Sequence, residues 1–230
     1  MKLICLKSCL SCIVDVMNDH YRYPRTPHLP WSESVTKDDK YISAKDLAHL
    51  QSLPDLLLTE KMDGGNLTFY RDYFHGRSLD SGTNAWDTAA KALWASIRFK
   101  IPEGWRISGE SVYARRSVAY ENLPGVYLIF GGWDEENNAL DWDTVVELAK
   151  EISIPTVPVL YRGSSFEIAK KVWATLKNAD TSEGYVLRNA GSFPYSEFSK
   201  NVAKYVRENH IRTSDDWRHR DDFTLNGVAL

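Results

Sequence analysis

A lysine at residue 61 ends a short apolar segment and stands directly before two glycines, in the string EKMDGGN over residues 60–66. Glycines let backbone N–H groups approach a phosphate closely, because no side chain intervenes. A lysine beside them can hold a phosphate as a cation, or attack one as a nucleophile after losing its proton. The spacing is neither that of a Walker A loop, in which lysine follows the glycines, nor GxGxxG. A hairpin turn with a solvated lysine is the alternative, and this segment alone leaves both open.

Five further short motifs follow this lysine in order. Together the six resemble the covalent nucleotidyltransferase superfamily of ATP-dependent DNA ligases, RNA ligases and mRNA capping enzymes, in which the lysine of motif I, KxDG, takes the nucleotide. The strings are EKMDGGN (60–66, motif I), HGRS (75–78, motif Ia), SGESVY (108–113, motif III), YLIF (127–130, motif IIIa), SEGYVLR (182–188, motif IV) and KNVAKYVR (200–207, motif V). Each is weak evidence alone, but six in order are not expected by chance.

The resemblance is greatest to the RNA ligase branch, in particular to small phage and bacterial RNA ligase-like proteins. It includes YPRTPHLPWS at 23–32, YARRS at 113–117 and NHIRT at 209–213. It implies an α+β nucleotidyltransferase domain with antiparallel sheets flanked by helices and no OB-fold domain. We expect this domain at residues 21–217, after an N-terminal extension of unknown role at 1–20 and before a polar C-terminal tail at 218–230.

The resemblance also implies the residues of the site. Lys61, Lys204 and Glu183 are the expected catalytic residues, with Lys61 as the nucleophile. Mg²⁺ (or Mn²⁺) is expected to bind Glu183, Asp63 and Glu110, directly or through water. The residues expected to bind ATP, the AMP donor, are Glu60, Asn66, Arg77, Glu110, Phe130, Lys200 and Arg207.

Two motifs leave residue roles open. Motif V normally offers two lysines spaced KxK, but an aromatic and an apolar residue follow Lys204 here. Lys200 and Arg207 therefore both remain candidates for the second cation. Arg188, which ends motif IV, is either a site residue or part of a surface ion pair. Arg116 stands where a histidine is expected from the nearest relatives.

A nucleophilic lysine has to be activated, because only about 0.1% of a free lysine side chain is neutral near pH 7.4. We predict that Lys204 and one of Lys200 or Arg207 lower the pKa of Lys61 by like-charge repulsion. Mg²⁺ would add to this effect and offset charge on the triphosphate.

The function that the resemblance implies is ATP-dependent sealing of RNA with 5′-phosphate and 3′-OH ends. The route runs through a lysyl-AMP enzyme and an adenylylated RNA end. A DNA ligase or capping-type guanylyltransferase is an alternative, and the expected lack of an OB-fold domain argues against it. A non-catalytic nucleotide or RNA-end binding protein is another alternative. Four residues argue against it, namely Lys61, Glu110, Glu183 and Lys204.

Hydrophobic periodicity and capping signals predict the elements that must position these residues. Helices are predicted at 44–53, from Asn84 to about 97, at 142–152 and at about 165–177, the last with Ser164 as N-cap. Strands are predicted at 55–60, 66–71, 105–110, 126–132, 184–189 and 201–207. The Gly-Gly turn predicts that strand 66–71 is the hairpin partner of strand 55–60.

The composition of the 230-residue chain is that of a globular protein, with 43% hydrophobic and 26% charged residues and a net charge of −3. A protein that coats nucleic acid non-specifically is usually basic, so RNA must meet a local basic groove here. No apolar run is long enough to span a membrane. We expect a cytoplasmic protein of a bacterial or phage-infected cell, and the sequence does not indicate its oligomeric state.

The cysteines lie at positions 5, 9 and 12, and the rest of the chain has none. A disulfide-stabilised fold is therefore not expected. Cys9 and Cys12 have the CxxC spacing of a zinc site, but no second pair completes four ligands.

Overall fold

The computed structural model describes residues 20–80, 84–176, 181–208 and 224–229. The three cysteines, residues 1–19 of the predicted extension and the NHIRT segment lie outside the described residues. The helices are α1 (Ala44–Gln51), α2 (Thr88–Ile97), α3 (Trp142–Ile152), α4 (Phe166–Thr175) and α5 (Phe198–Asn201). The strands are β1 (Leu56–Lys61), β2 (Gly65–Tyr70), β3 (Phe74–His75), β4 (Arg106–Ser111), β5 (Tyr127–Trp133), β6 (Asn138–Ala139), β7 (Val159–Gly163), β8 (Gly184–Asn189), β9 (Phe193–Pro194) and β10 (Val202–Val206).

The strands of the described ranges form two antiparallel sheets, which confirms the predicted α+β class. The first sheet has the order β10-β8-β1-β7, and the second has the order β3-β2-β4-β5-β6-β9. Helix α4 packs on β1 and β7 of the first sheet, and α3 packs on β5 of the second. None of the helices in these ranges is long and apolar enough to cross a membrane.

Strand β1 lies between two hydrophobic cores, which explains its unbroken apolar run. Leu57 belongs to the core that β2, β4, β5, α2 and α3 share. Leu56 and Leu58 point the other way, into a core formed with α1, α4, β8 and β10. Successive side chains of a strand face opposite sides, so a strand covered on both faces loses the usual apolar–polar alternation.

The predicted hairpin between β1 and β2 is wrong. Strand β1 pairs with β7 and β8, whereas β2 pairs with β3 and β4. Lys61 at the end of β1 lies opposite Gly184, and Gly65 at the start of β2 lies opposite Ser111. Residues 62–64 therefore carry the chain from one sheet to the other, and the lysine ends its strand at the junction of the two sheets.

Gly64 is required by this crossing. A Cβ atom there would lie 2.3 Å from the carbonyl oxygen of Ser111 and 2.8 Å from Cγ of Glu110. We expect Gly64→Ala to destabilise the fold by about 1–3 kcal/mol, since the backbone of β4 cannot move away cheaply. At Gly65 the nearest atom is the flexible end of Arg116, at 3.0 Å, so Gly65→Ala is the matched control with a smaller loss. Thermal unfolding of both variants tests this, and equal losses would contradict it.

Most predicted element ends differ from the observed ones by one or two residues, and two helix starts differ in kind. Ser165, not Ser164, is the N-cap of α4, where its side chain accepts a hydrogen bond from the Ile168 N–H at 3.2 Å. A 3₁₀ turn at Ala85–Asp87 precedes α2. The predicted helix at 142–152 and strand at 184–189 match α3 and β8.

The segment at 224–229 holds the loop that follows β4. Asn226 is 7% exposed; its amide donates to the Val112 carbonyl at 2.8 Å and accepts from the Tyr120 N–H at 3.0 Å. Leu225 and Val228 form bridges to Ala114 and Leu123. This loop contains Arg116, so the segment bears on the site below.

Candidate active site

A cavity of about 560 Å³ opens where the two sheets meet. It is bounded by the ends of strands from both sheets and by the 3₁₀ turn before α2. Each of the six motifs contributes a residue to its wall, namely Lys61, Arg77, Glu110, Phe130, Arg188 and Lys204. The fold thus brings the separate motifs of the sequence to one place.

Lys61 forms an ion pair with Glu183, with 2.5 Å between Nζ and Oε2. Their side chains are 23% and 10% exposed. Strands β1 and β8 create this pair, because Lys61 lies opposite Gly184, the residue after Glu183. The structure therefore places a proton acceptor against the expected nucleophile.

The predicted lowering of the Lys61 pKa is wrong. Burial lowers the pKa of Lys61, but Glu183 and then Glu110 outweigh burial and hold the pKa above its ordinary value. These carboxylates therefore favour the protonated, ammonium form of Lys61. The prediction considered only the cations of motif V. It did not include Glu183 and Glu110, which the fold brings close to Lys61.

Glu110 lies near the C-terminal end of β4, where Lys61 acts on its charge. Burial raises the pKa of Glu110 to about 7, against the opposing effects of Lys61 and Arg116. A carboxyl group poised there changes its charge readily when a cation or phosphate arrives.

Lys204 lies on β10, an edge strand of the first sheet, and lines the cavity. The chain before α1 covers this edge. The backbone N–H of Lys204 donates to the Pro27 carbonyl at 2.9 Å, and its carbonyl accepts from Leu29 at 2.7 Å. Its Nζ lies 3.5 Å from Oδ1 of Asp39, and the other carboxylate oxygen, Oδ2, lies 3.5 Å from Nε2 of the buried His28. Burial lowers the pKa of Lys204, Asp39 raises it, and Lys61 and Arg77 lower it.

We expect Asp39→Asn to raise KM for ATP about tenfold, because a charged partner of this kind contributes about 1.5–3 kcal/mol. Without Asp39 the pKa of Lys204 falls further, so the alkaline limb of the adenylylation rate should move to lower pH. Asp39→Glu should restore part of both effects. Asp38→Asn, at the exposed neighbouring carboxylate, is the control. A pH profile and KM equal to those of the wild type would show that Asp39 does not position Lys204.

The two candidates for a second motif V cation lie elsewhere. Lys200 is on α5 and pairs with Glu197 at 2.8 Å. Arg207 donates to the Ser182 carbonyl at 2.5 Å. Neither lines the cavity, whose other cations are Arg77, Arg116 and Arg188.

Asp63, expected near a metal ion, is 7% exposed and does not line the cavity. One of its carboxylate oxygens accepts hydrogen bonds from the backbone N–H groups of Ser117 and Val118, each at 2.8 Å. The structure thus places Asp63 as the anchor of the loop that carries Arg116.

Glu60 and Asn66, both expected nucleotide contacts, line the cavity. The Glu60 carboxylate accepts a hydrogen bond from the Ser182 hydroxyl, and burial raises its pKa. The Oδ1 atom of Asn66 is buried and has no hydrogen-bond partner within the described part of the chain. Buried polar atoms are normally paired, so this oxygen is available to a ligand.

The structure adds two arginines to the cavity wall that the sequence had not assigned to the site. Arg188 is 8% exposed, donates to the carbonyl of Phe130, and has an Nε atom without a partner in the described ranges. It is therefore buried in the cavity wall and not part of a surface ion pair. Arg116 was noted only as a departure from the family pattern, and its loop position gave no strand signal.

Tyr23 is a further residue that sequence reasoning missed. It lines the cavity beside the Phe130 ring, edge to face, at 4.9 Å between ring centres. Its position in the proline-rich lead-in carried no signal for a site.

The chemistry of the carboxylates fits a hydrated divalent ion. In the described residues no group of three or more His, Cys, Asp or Glu side chains is arranged to hold a metal by itself. Mg²⁺ usually keeps several waters and binds one or two carboxylates together with substrate phosphates. Glu110, which lines the cavity, and Glu183, which pairs with Lys61, are the groups that could take this part.

These features define a nucleotidyltransferase domain of the ligase and capping-enzyme type. Residues 54–206 match the family model described as RNA ligase. The chain therefore belongs to the RNA ligase family, which confirms the resemblance drawn from the motifs.

Solved structures of a Naegleria gruberi RNA ligase share this fold. One mutant with ATP and Mn is 17% identical, with a TM-score of 0.51 over 83% of this chain and 62% of that chain. A second mutant with ATP and Mn is 18% identical, with a TM-score of 0.51 over 84% and 63%. The present chain thus spans less than two thirds of the length of those chains. No curated protein matches it in sequence.

Proposed function

We propose that this protein is an ATP-dependent RNA ligase that seals 5′-phosphate and 3′-OH ends through a lysyl-AMP intermediate. The observation that carries the proposal is the Lys61–Glu183 pair at 2.5 Å, in which Lys61 lines a cavity together with four further cations. Family membership supports the choice of RNA and ATP.

The cavity has the volume and the lining of a nucleotide site. Phe130, Tyr23, Val157 and Val186 give it an apolar side suited to a purine ring. The unpaired Asn66 oxygen and Arg188 Nε are an acceptor and a donor beside it. Arg77, Arg116 and Lys204 supply positive charge for the phosphates.

The first step is the attack of Lys61 Nζ on the α-phosphorus of ATP. The N–P bond forms as the bond to the pyrophosphate oxygen breaks, and pyrophosphate leaves. The attacking nitrogen must first lose a proton, and the Glu183 carboxylate is in hydrogen-bond contact to receive it. Lys204 is placed to offset charge that grows on the phosphate.

A bound Mg²⁺ or Mn²⁺ ion would supply positive charge at the phosphates and weaken the hold of the carboxylates on the lysine. Glu110 and Glu183 would hold it, directly or through water. With the ion bound, Lys61 would change from ammonium to amine when the nucleotide binds, whereas Glu183 and Glu110 favour the ammonium form without it.

In the two later steps AMP passes to the 5′-phosphate of an RNA end, and a 3′-OH displaces it. The phosphoryl oxygen of the RNA end attacks the lysyl-AMP phosphorus, and Lys61 leaves as an amine that regains a proton. The 3′-OH then attacks the RNA phosphorus, forming the phosphodiester and releasing AMP.

Incubation with Mg²⁺ and ATP labelled on the α-phosphate tests the proposal. We expect a covalently labelled protein on a denaturing gel, and transfer of label to 5′-phosphorylated RNA followed by sealing. Labelling by GTP and not ATP would indicate a capping-type enzyme, and sealing of DNA ends alone would indicate a DNA ligase. An unlabelled protein that still binds ATP would indicate a non-catalytic binding protein.

A further inference from the structure

A row of aromatic and guanidinium groups runs from the wall of the cavity to the protein surface. Phe74, which lines the cavity, lies 5.1 Å from Trp94 of α2 between ring centres. The Arg98 guanidinium lies 5.2 Å from the Trp94 ring and 4.3 Å from the Phe99 ring. Arg71 reaches the same Phe99 ring at 5.9 Å. The row thus connects the interior of the site to solvent.

Its outer end is an exposed aromatic group. Phe99 is 67% exposed, the largest exposed fraction among the large hydrophobic side chains of the described residues. It sits in the 3₁₀ turn Arg98–Lys100 that follows α2. The exposed part of the ring is open to solvent, and bases of single-stranded nucleic acid stack on aromatic side chains.

The surroundings of this ring are basic. Arg71, Arg98 and Lys100 form no ion pair with a carboxylate in the described ranges. The chain as a whole carries a net charge of −3, so this concentration of positive charge is local. The composition required a local basic site for RNA, and this surface provides one outside the nucleotide cavity.

Helix α2 fixes the distance between this surface and the site. The turn that precedes it contributes Trp86 and Asp87 to the cavity wall, and the turn that follows it carries Phe99. Ten helical residues span about 15 Å. A strand whose end lies in the cavity can therefore reach this surface within a short stretch of nucleotides.

We propose that Arg71, Arg98, Phe99 and Lys100, here called the Phe99 surface, dock a single strand of the RNA substrate next to the end that is being joined. This inference rests on the proposed function. Unpaired bases stack on aromatic rings and on guanidinium planes, while the phosphates between them meet cations. The bases of a duplex are already stacked on one another, so the exposed ring favours a single strand.

Binding of a short, fluorescein-labelled single-stranded RNA with a 5′-OH and a blocked 3′ end tests this surface without ligation. We expect Phe99→Ala to weaken binding at least about fivefold, as loss of one stacked base does. Arg71→Ala combined with Arg98→Ala should weaken it further. The double variant should also flatten the plot of log affinity against log salt by about 0.7 for each phosphate that is no longer neutralised.

Two matched controls lie on another face. Lys170, a cation 4.3 Å from the Trp31 ring, and Ile168, which is 51% exposed, are substituted by alanine in the same assay. Their RNA affinity should equal that of the wild type. Thermal unfolding checks that each variant remains folded.

RNA affinity unchanged by the Phe99 and arginine variants, or reduced equally by the controls, would overturn the Phe99 surface. Equal losses with a blunt RNA duplex would overturn its assignment to a single strand. Labelling by ATP needs no RNA, so failure of the wild type to form an AMP adduct would overturn the proposed function by a separate measurement.

Discussion

Lys61→Ala should form no detectable AMP adduct and should fail to seal RNA with a 5′-phosphate. The reason is that the remaining cations of the cavity, Lys204 and three arginines of permanent charge, lack the placement or the basicity to attack the α-phosphorus. Denaturing gels after incubation with α-labelled ATP measure the adduct. Residual labelling at a few per cent of the wild-type level would place the nucleophile elsewhere.

Folding of the variant has to be controlled, because removal of Lys61 leaves the largely buried Glu183 carboxylate without its ion-pair partner. Lys61→Arg keeps a cation beside Glu183 and cannot lose its proton, so it should be folded and equally unlabelled. Lys150→Ala, at an exposed lysine of α3, should be labelled like the wild type. Lys61→Ala should still seal RNA that already carries AMP on its 5′ end, since only the first transfer requires the nucleophile.

Glu183→Gln should lower the pKa of Lys61 in the protein without nucleotide, because the closest carboxylate no longer favours the ammonium form. Trace acetylation of Lys61 as a function of pH, read by mass spectrometry, measures this directly. The midpoint for Glu183→Gln should lie at lower pH than that of the wild type. Lys204→Ala should move it to higher pH, since a like charge that acts on Lys61 is removed.

Glu167→Gln, at an exposed carboxylate of α4, is the control and should leave the midpoint unchanged. If the acetylation midpoint of Lys61 in Glu183→Gln equals that of the wild type, Glu183 does not favour the ammonium form of Lys61. In adenylylation assays the same variant should be slower at every pH, because the proton acceptor and a metal-facing carboxylate are lost together.

The sequence predicted the class of the protein because the motifs lie at strand ends that the fold collects at one cavity. Glu110, Phe130 and Lys204 are far apart along the chain, and their types and order carried the signal. Helix α3 and strand β8 were predicted with their observed bounds, since each has a strong local pattern.

What the sequence did not predict depends on contacts between distant segments. A Gly-Gly turn favours a local hairpin, but β1 and β2 pair with other strands and belong to two different sheets. The Lys61–Glu183 pair follows from the register of β1 against β8, which no local pattern specifies. Asp39 and His28 lie in an irregular lead-in without periodicity, so their approach to Lys204 was visible only in three dimensions.

The attachment point of AMP tests the central claim most directly. The wild-type protein is incubated with ATP and Mg²⁺, digested near neutral pH to preserve the acid-labile N–P bond, and its peptides are sequenced by mass spectrometry. We predict one AMP on the peptide that contains EKMDGGN, bonded to Nζ of Lys61, and its loss on addition of 5′-phosphorylated RNA or pyrophosphate. AMP on another lysine, or no covalent AMP on a protein that binds ATP, would contradict the account.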